Sequence, residues 1–114
     1  MPASDDEAAT RAFNDGINAG DVDTLARLMT DDHRFVDTEG AAVEGKAACL
    51  EAWRGFFAAF PDYRNVFDQV ASDGHDGVDV VGRSECSEPL LRGPARWHAV
   101  VRDGLVAEWH VADG

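Results

Sequence analysis

The main change in the period of the apolar residues along this chain falls near position 60, and this change limits the folds that the chain can adopt. Up to Phe60, apolar side chains recur mainly at steps of three or four, which is typical of helices that pack on one face. After Pro61 they fall in short runs separated by glycine-containing turns, which is typical of strands. The pattern therefore predicts the α+β class. With 114 residues, of which 45% are hydrophobic, the chain can bury one core, so we expect a single domain over residues 1–114.

Three helices are predicted in the first half of the chain. The first ends at Gly20, and its apolar face holds, at spacing four, Ala9, Phe13 and Ile17. Asp21 is placed to cap the second helix, whose apolar residues are Leu25, Leu28 and Met29. The third begins just after Gly45 and ends near Phe60, with an apolar face of Ala47, Leu50, Trp53, Phe57 and Phe60.

Five strands are predicted around and after the third helix. Residues 33–38 change to period two, so Phe35 and Asp37 share one side of a strand. The loop between the second and third strands is Asp73-Gly74-His75-Asp76-Gly77, which is rich in turn residues. The four later strands cover residues 63–72, 78–85, 95–101 and 105–111.

The last hairpin allows a prediction of register. A three-residue loop with Gly104 in the left-handed conformation would pair Val101 with Leu105 and set Trp97 opposite Trp109. The core face would then carry Trp97, Ala99, Val101, Leu105, Ala107, Trp109 and Val111. The other face would carry Arg96, His98, Val100, Val106, Glu108 and His110. A two-residue loop or a β-bulge would shift the register and bring His110 to the core face.

Charge and composition exclude several classes of partner. The formal net charge of −12 argues against binding to a nucleic-acid backbone or an anionic membrane surface. No apolar run approaches the roughly 20 residues that span a bilayer, and the first residues lack a signal-peptide pattern, so we expect a cytoplasmic protein. Cys49 and Cys86 are expected to be free thiols. The four histidines show no ligand spacing, so neither a metal nor another cofactor is predicted.

The order of elements, together with several short stretches, resembles a known superfamily. The stretches cover residues 18–25, 31–37, 60–63 and 102–109, with the helix start at Gly45. In this order they resemble the nuclear transport factor 2-like superfamily, and most closely its SnoaL-like branch of polyketide cyclases and ketosteroid isomerase relatives. The resemblance implies a cone-shaped, curved antiparallel sheet packed against three helices. Because this fold hosts both enzymes and non-catalytic binders, the resemblance leaves the function open between the two.

Asp37 is the first candidate catalytic residue. Its position resembles that of the general base of ketosteroid isomerases, and a carboxylate beside an apolar cavity can remove a proton from the carbon next to a ketone. The alternative is an aspartate at a strand end that accepts hydrogen bonds from turn amides. The oxyanion-hole tyrosine and aspartate of those isomerases correspond here to Phe13 and Trp97. Ketosteroid isomerase activity itself is therefore not expected.

His110 is the second candidate. The stretch Glu108-Trp109-His110 resembles a His-Trp-Asp stretch that supplies an acid or base in SnoaL-type cyclases, with His110 in place of the aspartate. An imidazole can act as a base at neutral pH. The alternative is a histidine on the outer face of the sheet. Epoxide hydrolases of this fold use an acidic residue on the last strand, and the residue that resembles it in position here is Val111, so this activity is not expected.

Aromatic residues form the third set of candidates. A cavity wall suited to an apolar small molecule would comprise Phe13, Trp53, Phe57, Tyr63, Trp97 and Trp109. The alternative is that these residues fill a solid core.

The predicted function is a small-molecule enzyme or binder, with proton transfer on a carbonyl-containing ligand as the reaction. The rival is a non-catalytic interaction module. The half-apolar outer face, with Val100 and Val106, predicts a homodimer.

Overall fold

Three α-helices and one six-stranded sheet form the fold of the described residues. The structure is a computed structural model, and it describes the backbone of residues 2–75 and 77–113. The helices are Pro2–Ala19 (α1), Val22–Leu28 (α2) and Lys46–Ala59 (α3). The strands are Met29–Val36 (β1), Ala42–Glu44 (β2), Arg64–Ser72 (β3), Gly77–Glu85 (β4), Gly93–Arg102 (β5) and Leu105–Asp113 (β6). The α+β prediction is confirmed. Position 76, within the predicted loop 73–77, lies outside the described residues.

The sheet is mixed, whereas an antiparallel sheet was expected. Its strand order is β2-β1-β6-β5-β4-β3. Every neighbouring pair is antiparallel except β1 and β6, which run parallel. The cause is the path of the chain, since α3 carries it from β2 to the far edge, where the β3–β6 meander begins. β1 also starts at Met29, earlier than expected, and it ends at Val36, so Asp37 lies just beyond it.

The helices cover one face of the sheet and bury the core there. Asp21 caps α2 as predicted, because its side chain accepts a hydrogen bond from the Thr24 amide. Phe13 of α1 and Leu25 of α2 are fully buried against the sheet. In the described part of the chain, no helix covers the opposite face, which is called the outer face below. The sheet curves partly through a register shift in β3 around Asp68, since such irregularities bend a strand.

The register predicted for the last hairpin was wrong in detail. The loop has two residues, Asp103 and Gly104, with φ values of 54° and 79°, the signature of a type I′ turn. A β-bulge follows, so that Val101 pairs with Val106 and Val100 pairs with Glu108. The bulge adds one residue to β6, so the shorter loop and the bulge together shift the register by two residues, and an even shift keeps each residue on its predicted face.

Beyond the bulge, each residue lies on the face of the sheet that was predicted for it. Near the turn, the shorter loop and the bulge change the face on which residues lie. Val106 joins the core, where it is fully buried, instead of facing outward. Trp97 and Trp109 share the core face and are both buried, as expected. They are not directly opposite each other, because Trp97 pairs with Val111 and Trp109 pairs with Ala99.

Candidate functional site

A cavity of about 380 Å³ lies between α3, the core face of the sheet and the loop that precedes β5. Its buried wall combines α3 with the strands β1, β5 and β6. Buried or half-buried apolar residues that line it are Phe35, Cys49, Trp53, Phe56, Ala95, Trp97, Trp109 and Val111. Exposed residues that line it, and so mark its mouth, are Thr38, Ala52, Leu90, Arg92, Pro94 and Asp113.

Aromatic rings hold the wall in place through contacts with one another. The Trp53 ring stacks on Phe57 at 5.4 Å between centroids and meets the edge of Phe35 at 5.5 Å. Phe67 of β3 lies 5.0 Å from Trp97 and 6.3 Å from Trp109, so it bridges the two tryptophans. Rings packed in this way have few alternative rotamers, so the cavity keeps its shape without a ligand.

Asp37 lines the cavity and also holds a turn. It is half-buried and follows the last residue of β1. Its Oδ1 atom accepts hydrogen bonds from the amides of Glu39 and Ala41, both at 2.9 Å. The alternative stated for this residue, a turn-capping aspartate, is therefore present in the structure. The two amide bonds fix the orientation of the carboxylate.

A chain of polar side chains reaches the cavity from α1. Tyr63 Oη lies 3.2 Å from Ser84 Oγ, and Ser84 Oγ donates to Asn65 Oδ1 at 2.9 Å. Asn65 Nδ2 donates to Asn14 Oδ1 at 3.1 Å. Tyr63, Asn65 and Ser84 line the cavity, and Asn65 and Ser84 are buried. Burial raises the pKa of Tyr63, and the bond to Ser84 offsets this only in part, so the phenol stays protonated at neutral pH.

Asn14 and Asn18 also satisfy the exposed edge of the sheet. β3 is an edge strand, so the backbone of Asn65 has no neighbouring strand on its outer side. The Asn65 carbonyl accepts from Asn14 Nδ2 at 3.2 Å and from Asn18 Nδ2 at 2.9 Å. The Asn65 amide donates to Asn18 Oδ1 at 2.7 Å. These bonds pin α1 to β3 and fix the position of the polar chain.

Sequence reasoning named Tyr63 but missed Asn14, Asn65 and Ser84. Asn14 and Asn65 lie 51 residues apart in the sequence, and Asn65 and Ser84 lie 19 residues apart, so no local pattern connects them. One signal was present, because Asn14 and Asn18 stand one helical turn apart beside the apolar face of α1. Two asparagines at that spacing indicate a polar contact made by one side of the helix.

Three of the predicted site residues lie away from the cavity. Phe13 is fully buried between the rings of His33 and Trp109, at 5.5 and 4.7 Å, and Phe57 lies behind Trp53. His110 pairs with His98 on the outer face, as the predicted face assignment implies. In the described part of the chain, none of these three residues is among those that line the cavity. Trp53, Tyr63, Trp97 and Trp109 do line it.

Cys49 is a free thiol beside the cavity. Cys49 is fully buried and lines the cavity, and its burial raises the pKa of the thiol, so it stays neutral and a weak nucleophile. Within residues 2–75 and 77–113, no three His, Cys, Asp or Glu side chains cluster as metal ligands would. Over the same part of the chain, no helix has the length and apolar character that a membrane span requires.

Comparisons with known proteins agree with this architecture. The family model of the SnoaL-like domain matches residues 10–114. No curated protein sequence matches the chain significantly. A proposed polyketide cyclase from Sinorhizobium meliloti is 22% identical, with a TM-score of 0.81 over 91% of this chain and 93% of that one. A proposed ketosteroid isomerase from Kribbella flavida is 20% identical, with a TM-score of 0.80 over 98% and 79%.

An epoxide hydrolase is among the similar structures as well. An LEH-like epoxide hydrolase of M. tuberculosis is 17% identical, with a TM-score of 0.85 over 98% of this chain and 84% of that one. At such identities the likeness concerns the fold alone. Because these three proteins carry three different names, two of them for proposed activities, the function has to be argued from the side chains of this cavity.

Proposed function

Because the chain belongs to the SnoaL-like domain family, we propose that its cavity binds a small apolar molecule. The observation that carries this proposal is the cavity itself, about 380 Å³ in volume, with aromatic walls and a few polar groups. Small-molecule sites typically have volumes of about 300 to 1,000 Å³ and this mixture of groups. A bicyclic aromatic molecule has the size and flatness that the three tryptophans favour.

A blocking variant tests the binding proposal. Ala52 is exposed on α3 and lines the mouth, so Ala52→Phe fills the entrance without changing the core. Ala58 is also exposed on α3 and does not line the cavity in the described part of the chain, so Ala58→Phe is the matched control. We expect naphthalene to shift the tryptophan indole NMR signals saturably in the wild type and in Ala58→Phe. Ala52→Phe should bind at least about tenfold more weakly. Equal affinity in all three proteins would contradict the proposal.

Proton transfer by Asp37 is the catalytic form of this function. Asp37 is supported as the base because it lines the cavity and two amides orient it, which leaves its second oxygen, Oδ2, available for a ligand. The ligand would then be an apolar ketone whose adjacent C–H bond meets this oxygen.

Exchange of ketone protons for deuterium measures this reaction. 2-Tetralone is a bicyclic ketone with acidic α-protons, and NMR in D₂O follows the loss of their signal. We expect the protein to accelerate the exchange and Asp37→Asn to remove about a hundredfold or more of the acceleration. Asp113→Asn, which changes another carboxylate that lines the cavity, is the control and should retain the rate. Binding without accelerated exchange would support the rival function, a non-catalytic ligand-binding module.

The outer face of the sheet supports a homodimer. Val81 is 44% exposed there, and Val100 and the cross-strand pair His98 and His110 are half-buried in the single chain. An isologous contact would cover these side chains with a second copy of the same face. We expect sedimentation at micromolar concentration to give twice 12.3 kDa and Val100→Glu to give the monomer. A wild-type monomer at that concentration would contradict the dimer.

A further inference from the structure

The direction of every hydrogen bond in the polar chain can be derived from one backbone group. The Asn65 carbonyl can only accept, so the atom of Asn14 that contacts it must be the Nδ2 donor. The other end of the Asn14 amide is then its oxygen, which accepts from Asn65 Nδ2. This fixes the Asn65 amide as well, with its oxygen turned toward Ser84.

The order set at Asn14 continues to the surface of the cavity. Because Asn65 Oδ1 can only accept, Ser84 must use its single hydrogen for that bond. Ser84 Oγ then has only lone pairs to offer Tyr63, so the Tyr63 hydroxyl is the donor across the 3.2 Å between them. The Tyr63 oxygen therefore presents lone pairs, and no hydrogen, to a molecule in the cavity.

We propose that the cavity recognises the hydroxyl group of an apolar alcohol or phenol through the Tyr63 oxygen, and that Asn14 sets this preference. The inference rests on the proposed function, since it concerns the same cavity. A ketone or ether oxygen placed at Tyr63 would meet lone pairs, unless the Tyr63 hydroxyl gave up its bond to Ser84. The ketone of a substrate therefore belongs at another part of the wall, with the hydroxyl group at Tyr63.

Asn14 acts here as a positioning residue. It is buried, and in the described part of the chain it is not among the residues that line the cavity. Its effect on a ligand passes through Asn65 and Ser84. Leucine at this position would remove the partner that distinguishes the two ends of the Asn65 amide. Either orientation of the Asn65 amide would then leave one of its ends without a partner, so both orientations would be populated. When the amide nitrogen faces Ser84, it donates to Ser84 Oγ, Ser84 donates to Tyr63, and the Tyr63 hydrogen is free.

Three naphthalene derivatives test the proposal by NMR titration of the tryptophan indole signals. 2-Naphthol carries a donor, 2-methoxynaphthalene carries only an acceptor, and naphthalene carries neither. We expect the wild type to bind 2-naphthol about fivefold or more tightly than 2-methoxynaphthalene, the ratio that one net neutral hydrogen bond gives. Asn14→Leu should bring this ratio close to one while the affinity for naphthalene is retained.

Asn18→Leu is the matched control for Asn14→Leu. Asn18 lies one turn away on α1 and bonds the backbone of Asn65, not its side chain, so it stabilises the same contact without ordering the amide. Its substitution should keep the preference for 2-naphthol. If Asn14→Leu does not fold, Ser84→Ala makes the same test, because it frees the Tyr63 hydrogen directly and should also bring the ratio close to one.

The possible results separate the two proposals. If none of the three molecules binds, the small-molecule function fails, and the hydroxyl preference fails with it. If naphthalene binds and the wild type shows no preference between 2-naphthol and 2-methoxynaphthalene, the hydroxyl preference alone is overturned. A preference that survives in Asn14→Leu and in Ser84→Ala overturns the derived direction of the hydrogen bonds.

Discussion

The buried His33 should make the stability of this protein depend on pH in a defined direction. The side chain is fully buried, and its ring stacks on Phe13 at 5.5 Å. Nδ1 lies 2.7 Å from the Val106 carbonyl, which can only accept, so Nδ1 carries the hydrogen of the neutral ring. Nε2 is buried and has no hydrogen-bond partner in the described part of the chain. A proton added there would place a charge in the core with nothing to solvate it.

Burial is the largest cause that lowers the pKa of His33, and it outweighs the Val106 bond and the charges of Glu108 and Asp32, which raise the pKa. The unfolded chain takes up this proton near pH 6.5, whereas the folded chain does not. The unfolded state therefore binds more protons below that pH, and stability is lost as the pH falls from about 6.5 toward the folded pKa. The maximum loss is about 1.4 kcal/mol per pH unit in that interval.

Urea unfolding followed by tryptophan fluorescence measures the effect. His33→Asn retains a donor near Nδ1 and cannot titrate, and His75→Asn removes an exposed histidine as the control. Between about pH 7.5 and pH 5.5, we expect the wild type to lose up to about 1.4 kcal/mol more stability than His33→Asn loses. His75→Asn should follow the wild type. If the wild type and His33→Asn lose stability in parallel, the burial argument for His33 is wrong.

Further predictions concern backbone positions, and each is measured by the free energy of unfolding in urea. Gly82→Ala should cost about 2 to 3 kcal/mol, because the added Cβ atom would clash with the Val66 carbonyl oxygen. At Gly55 on α3, an added Cβ atom would meet nothing within 4 Å, so Gly55→Ala should stabilise the protein by roughly 0.5 to 1 kcal/mol. Gly104→Ala should cost about 1 to 2 kcal/mol, because φ there is +79°. Asp103→Asn, which suits a φ of 54°, should stay within about 0.5 kcal/mol of the wild type. Equal effects of Gly82→Ala and Gly55→Ala, or a neutral Gly104→Ala, would contradict the backbone geometry.

Periodicity predicted the helices well because each helix buries one face. The step-of-four pattern of Phe13 and Ile17 reports burial directly, and both are almost fully buried. It did not predict the edge strand β2. β2 has three residues and no buried residue, so its pattern carries no hydrophobic signal. Met29 is buried in the core whether it ends α2 or begins β1, so its apolar side chain could not distinguish the two assignments.

The last hairpin shows why a correct assignment of faces is not a correct register. The segregation of Trp97 and Trp109 from His98 and His110 follows from period two alone. The same segregation arises from a three-residue loop and from a two-residue loop with a bulge, so side-chain pattern could not choose between them. The faces differ only near the turn, where the bulge turns Val106 into the core and Leu105 pairs with Arg102 instead of Val101.

The polar part of the site depends on contacts between distant segments, and this limits what sequence alone reveals about ligand choice. The aromatic wall comes from strand and helix phases, so most of it was predictable. By contrast, Asn14 directs the Tyr63 hydrogen through two intermediate side chains, although Asn14 and Tyr63 lie 49 residues apart in the chain. A substitution in α1 can thus exchange a donor for an acceptor in the cavity while the wall is unchanged. Within one fold, ligand preference can therefore change through residues that never touch the ligand.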